Sequence, residues 1–131
     1  MATTLKLQTS GGYGEQNTMN DIHRLFMLVK ISHYATTSFA AHSAFDRTFE
    51  TLEDLIDEIA EKVIGYTGIP VTQLVIGTVT ASSPMEVGGE IIKVAKKIED
   101  FATKKGYPDL QNVAQSLSGA GAQLQYLARL S

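Results

Sequence analysis

Two histidines and three carboxylates stand at spacings that could do chemistry: His33, His42, Asp46, Asp57 and Glu61. Imidazole with carboxylate is a mixed nitrogen and oxygen donor set, suited to iron, zinc or manganese. On a helix advancing about 100° per residue, His42, Asp46, Asp57 and Glu61 fall within roughly 100° of one another. Asp57 and Glu61 are one turn apart and can reach one ion. His42 lies some 22 Å from Asp57 along such an axis, at about 1.5 Å per residue. Those two can share an ion only if a second copy of the helix runs antiparallel to the first. The spacing therefore turns a metal site into a dimer: His33 and His42 from one chain, Asp57 and Glu61 from its neighbour. Asp46 would be an auxiliary ligand, or would orient a ligand by hydrogen bonding. The other outcome of the same residues is a solvated acidic helix face beside packed histidines.

Helical elements have to carry these residues. Ile22, Leu25, Phe26, Val29 and His33 recur at helical spacing, which predicts a first helix capped by Thr18 or Asn20. The pattern weakens at residues 36–38, where a bend is expected. Phe45, Phe49, Leu52, Ile56, Ile59 and Val63 form the stripe of a second helix, from residue 39 or 41 to 64. Gly65, Gly68 and Pro70 stop it. Ser83, Pro84 and Glu86 read as a capped start for a third helix, which Gly106 ends. Its stripe is Val87, Ile91, Val94, Ile98 and Phe101. A fourth helix follows Pro108, with Leu110, Val113, Leu117, Leu124 and Leu127 in register. Gly119 and Gly121 cost helix propensity there, about 1 kcal/mol each, and close helix–helix approach is a reason to keep them.

Residues 70–84 are rich in β-branched side chains, yet a single strand would have nothing to pair with. A crossover carrying a short helix is the expectation. The domain organisation is then a flexible N-terminal tail over residues 1–18 and a four-helix bundle over 19–131. One long crossover between helices 2 and 3 is the connectivity of ferritin-like folds, so the predicted fold class is all-α and ferritin-like.

Composition narrows the chemistry. The chain has no cysteine, which excludes disulfides, thiolate metal sites and cysteine nucleophiles. Net charge is −3 with no long basic run, so neither chain nor tail carries the electrostatic footprint of a DNA-binding protein. No apolar run approaches the roughly 20 residues that span a bilayer, and a soluble, non-membrane protein is expected. The glycines at 11, 12 and 14 follow no strand and precede no phosphate-binding lysine, so they read as linker. Nothing sets a serine beside an activated imidazole, and His23 reads as a surface residue.

The run HisTyrAlaThrThrSerPheAlaAlaHisSerAlaPheAsp at 33–46, followed by AspGluIleAlaGlu at 57–61, resembles the mini-ferritins of the Dps type. Their pattern is His-Trp, a short bend, His-x-x-x-Asp, then Asp-x-x-x-Glu, with the halves of each iron site supplied by different subunits. The likeness covers residues 20–70 well and fades beyond. The run is similar still to a ferritin-like group from tailed bacteriophages, marked by His-x-x-Thr-x-Ser-x-Ala-x-x-His. The chain departs from the pattern in three places: the His33–His42 interval is short, Tyr34 replaces the tryptophan, and Gln115 stands where the phage group tends to carry acid. No Glu-x-x-His pair occurs.

Two functions follow as expectations. One is a ferritin-like homodimer or higher homo-oligomer that binds iron or a similar divalent metal between subunits and can oxidise iron(II). The other is a metal-free or degenerate structural or assembly protein, such as a phage virion component with virion partners. Host cytoplasm or virion is the location these imply.

Overall fold

The structure, a computed structural model, describes residues 12–130. Four helices and no strand occur among them: α1 (Glu15–Ala35), α2 (Phe39–Thr67), α3 (Pro84–Lys105) and α4 (Pro108–Arg129). The apolar stripes read from the sequence build the core, with Phe26, Phe49 and Leu127 only partly buried against it. Ile22, Leu25 and Val29 of α1 meet Phe45, Leu52, Ile59 and Val63 of α2, with Val87, Ile91 and Ile98 of α3 and Leu110, Leu117 and Leu124 of α4, all buried.

The starts and stops follow local chemistry. Ser38 Oγ accepts from Ala41 N at 3.2 Å and caps α2. Gly68 ends α2 in the left-handed region (φ 67°), and Gly106 does the same for α3 (φ 74°). At α3, Ser83 Oγ accepts from Glu86 N at 3.2 Å while its hydroxyl donates to the Glu86 carboxylate at 3.1 Å.

α1 begins earlier than its turn-forming residues suggest. The expected tail over residues 1–18 is corrected at its inner edge: Glu15 opens the helix, and Gln16 and Thr18 are buried in it. Tertiary contacts decide this. The Tyr13 ring meets Phe101 edge-on at 6.2 Å, its hydroxyl donates to Asp21 at 3.0 Å, and Gly14 N donates to Asn17 Oδ1 at 3.0 Å. The outer part of the expected tail, residues 1–11, lies outside the described residues.

The chain path follows from which ends meet. Glu15 at the start of α1 receives the Tyr107 hydroxyl at 3.3 Å, beyond the end of α3. Gln125, late in α4, donates to the carbonyl of Met85 at 3.1 Å, early in α3. α1 and α2 are thus an antiparallel hairpin, α3 and α4 another, and residues 68–83 cross the length of the bundle between them.

That crossover holds no helix, contrary to expectation, and geometry gives the reason. Gln16 Nε2 donates to Gln73 O at 3.0 Å, and Ser82 N donates to Ser32 Oγ at 3.0 Å. Along α1, Gln16 and Ser32 are roughly 24 Å apart at about 1.5 Å per residue. The nine steps from Gln73 to Ser82 cover only about 14 Å as helix but about 30 Å extended. The span demands an extended strap, and the β-branched residues suit it. Side chains of α1 take the place of a partner strand: Asn20 Oδ1 accepts from Val75 N at 2.9 Å, and Gln16 and Ser32 serve either side.

α3 and α4 approach closely where Gly88 and Gly121 meet, and glycine makes that approach possible. A Cβ on Gly121 would sit 2.7 Å from Gly88 O, and one on Gly88 would sit 2.7 Å from Gly121 O. Gly121 therefore has the close-approach role expected of it. Gly119 does not, since a Cβ there would meet nothing within 4 Å.

Candidate metal centre

The hairpin between α1 and α2 builds the site. Thr36 N donates to Ser32 O at 3.1 Å as α1 ends, and Ser38 starts α2 two residues on. So tight a turn sets the last turn of α1 beside the first turn of α2, and each carries a histidine. The His33 and His42 rings lie with centroids 4.0 Å apart, and their Nε2 atoms are separated by 3.2 Å. Asp46, one helical turn beyond His42, brings Oδ1 to 3.5 Å from His33 Nε2.

Each of the three offers one ligand atom, and those atoms all lie within 4.8 Å of one another. His33 is largely covered, with 18% of its side chain exposed, whereas 62% of the Asp46 side chain faces solvent. One side of the cluster is fixed in the protein and the other is open to an incoming ion.

The donor set fits a divalent metal. Neighbouring ligand atoms about 2.1 Å from an ion, at tetrahedral to octahedral angles, stand roughly 3.0–3.4 Å apart. The observed separations of 3.2 and 3.5 Å are close to that range. Two imidazoles and one carboxylate leave further positions for water or another ligand. The same atoms also have a metal-free arrangement, in which one Nε2–H donates to the other ring's unprotonated Nε2.

The remaining candidates are elsewhere in the chain. Asp57 and Glu61 are exposed on α2, several turns from His42, and join no three-donor group among the described residues. Asp57 lines a groove of about 380 Å3 with His23, Phe26, Met27, Glu53, Leu74 and Ile76. Glu61 borders a separate hollow with Tyr66 and Asp109. One chain thus joins His33, His42 and Asp46 and leaves Asp57 and Glu61 apart from them. Asp46 is drawn closer than an auxiliary role required, and its i+4 spacing from His42 was the signal for it.

His23 belongs to that groove more than its place on the helical wheel suggests. Its Nδ1 lies 2.7 Å from Met19 O. A carbonyl only accepts, so Nδ1–H is the donor in that contact.

The fold and the cluster together define an all-α four-helix bundle with one crossover and a histidine–carboxylate cluster at its first hairpin. Residues 33–127 match the family described as "Family of unknown function (DUF5856)", and the chain belongs to that family. The match begins at His33 and spans all five candidate ligands. The chain is also similar to the "Uncharacterized 14.6 kDa protein in mobD-ri intergenic region" of Enterobacteria phage T4. The two are 29% identical over 102 residues, which is 76% of this chain and 75% of that protein. No solved structure matches the chain at a significant level. No helix among the described residues is long and apolar enough to cross a membrane.

Proposed function

We propose that the chain is a ferritin-like, metal-binding homo-oligomer, with iron or a similar divalent metal held by His33, His42 and Asp46. The observation that carries the proposal is the convergence of these three donors, with Nε2 atoms 3.2 Å apart, at a turn held by its own caps. The up-down-down-up path with a single crossover supports the ferritin-like assignment. The resemblance of residues 33–61 to Dps-type mini-ferritins supports iron in particular. Asp57 and Glu61 complete the centre from a second copy, because about 22 Å of helix separates them from His42 in their own chain. Iron(II) at such a centre is the substrate, giving one electron to oxygen or peroxide. The protein's part is to fix the donors and leave positions open.

The test is anaerobic titration of metal-free protein with iron(II), followed by admission of oxygen. Wild type binds and develops ferric absorbance. His42→Ala loses affinity by more than the 10–100-fold typical of removing a mere supporting partner. Asp57→Ala with Glu61→Ala leaves the first binding step measurable and slows oxidation. Equal titrations for wild type and His42→Ala would refute the metal centre.

A second reading, a phage assembly protein, has one observation in its favour. Phe39 is 84% exposed at the start of α2, with Tyr34 close by in the chain and Leu130 exposed at the end of α4. Exposed large apolar side chains gathered at one end of a bundle suit a protein contact. Failure of metal binding in the titration would leave this reading standing.

A further inference from the structure

We propose that the straps of two copies pair as antiparallel strands across a twofold axis, with Leu74 of one chain facing Leu74 of the other. The argument begins with the backbone. Gln73 O and Val75 N are both taken by α1, through Gln16 and Asn20. In an extended chain, alternate residues aim their N–H and C=O to the same side. Thr72, Leu74 and Ile76 therefore aim theirs away from α1. Among the described residues these three backbones make no hydrogen bond. One edge of the strap is satisfied, and the other is an unpaired strand edge, a template for a further strand.

The occupant is a second copy. No strand occurs among the described residues to cover that edge. An antiparallel pair centred on Leu74 is self-complementary: Leu74 meets Leu74, and Thr72 meets Ile76 in both directions. β-branched and large apolar side chains are the ones that stabilise such cross-strand pairs. Gly77, with φ 73°, turns the chain immediately after Ile76 and limits the ladder to residues 72–76. So short a ladder is marginal alone. Apolar surface accompanies it: Leu74 is 39% and Val75 61% exposed, and Met27, 47% exposed, lines one groove with Leu74 and Ile76.

The axis also falls where the proposed metal centre needs it, a point that rests on that reading. A dyad setting His42 and Asp46 opposite Asp57 and Glu61 crosses α2 midway between the pairs, near Leu52. Its neighbour Glu53 lines the same groove as Leu74 and Ile76.

Hydrogen exchange on the intact, metal-free chain tests the pairing. The Leu74 and Ile76 amides are expected to exchange about tenfold or more slowly at concentrations where dimer forms than in dilute monomer. Leu74→Pro removes a donor with no partner in its own chain, and it is expected to weaken self-association about tenfold or more with helix content unchanged. The chain has no cysteine, so Leu74→Cys is expected to form an intermolecular disulfide on mild oxidation, whereas Tyr126→Cys is not. A dimer whose Leu74 and Ile76 amides exchange as fast as in the monomer would overturn the pairing, as would a chain monomeric at high concentration. Iron(II) affinity is read separately in Leu74→Pro. Retained binding by His33, His42 and Asp46 in a non-associating variant leaves the metal proposal intact, and protected amides without metal binding leave the strap pairing intact.

Discussion

Two glycines in one helix should respond to alanine in opposite directions. At Gly119 an added Cβ meets nothing within 4 Å. The substitution keeps only its conformational gain, and stability should rise by about 0.5–1 kcal/mol. At Gly121 the same methyl would lie 2.7 Å from Gly88 O, 2.9 Å from Ile92 Cγ1 and 3.0 Å from Ile91 Cβ. The first contact is with backbone, so a rotamer change cannot relieve it. α3 and α4 must separate, and Val87, Ile91, Leu117 and Leu124, all buried, lose packing. Overfilling of this kind costs about 1–3 kcal/mol, against which the same propensity gain applies. Propensity cancels between the two variants, so their difference isolates the clash at about 1–3 kcal/mol. Urea unfolding followed by helix circular dichroism measures it, and in a chain of this size each 1 kcal/mol moves Tm by roughly 3–5 °C. Equal stability of Gly119→Ala and Gly121→Ala would refute the glycine contact between α3 and α4.

Other substitutions probe single contacts. Ser83→Ala should cost about 1 kcal/mol in urea unfolding, because Glu86 N loses its acceptor at the start of α3. Asn20→Ala should speed exchange of the Val75 amide and cost about 1 kcal/mol, since Asn20 Oδ1 is that donor's acceptor. Burial, and next the Asp21 carboxylate, push the Tyr13 phenol well above the ordinary tyrosine value. Its contribution is complete below about pH 10, the unfolded value, and is lost as pH rises toward the raised folded one. Wild type should therefore lose up to about 1.4 kcal/mol per pH unit above that point from this group, and Tyr13→Phe should lack that slope in alkaline denaturant titrations. Metal affinity, if carried by His33, His42 and Asp46, should weaken as pH falls, because the donors must give up protons to bind.

Helical periodicity was enough for most of the fold, because a bundle core is the sum of stripes that local spacing already displays. α3 shows this best: its five-residue stripe lies within its own 22 residues, and its cap Ser83 and glycine stop Gly106 directly flank them. The misreadings arose where a distant contact decides. The beginning of α1 depends on Tyr13 reaching Phe101, and no local pattern shows that. The strap depends on a distance between its ends that exists only once α1 is folded. Gly121 could be read as a close-approach residue, but its partner Gly88 lies 33 positions earlier, and Gly119 in the same cluster has no such role.

The candidate site divides along the same line. His42 and Asp46 share a helix, and their four-residue spacing sets them on one face without help. His33 joins them only because residues 36–38 reverse the chain, and the weakening of the apolar pattern there was the visible trace. Asp57 and Glu61 obey the same i, i+4 rule as His42 and Asp46, so α2 carries two donor pairs of one geometry about four turns apart. A straight helix cannot fold the second pair back onto the first. Only another polypeptide can bring them together, and a twofold axis does so twice, once at each end of the paired helices. The distance that denies a complete centre to the single chain is therefore the strongest argument that the functional unit, if it binds metal through all five residues, is a dimer.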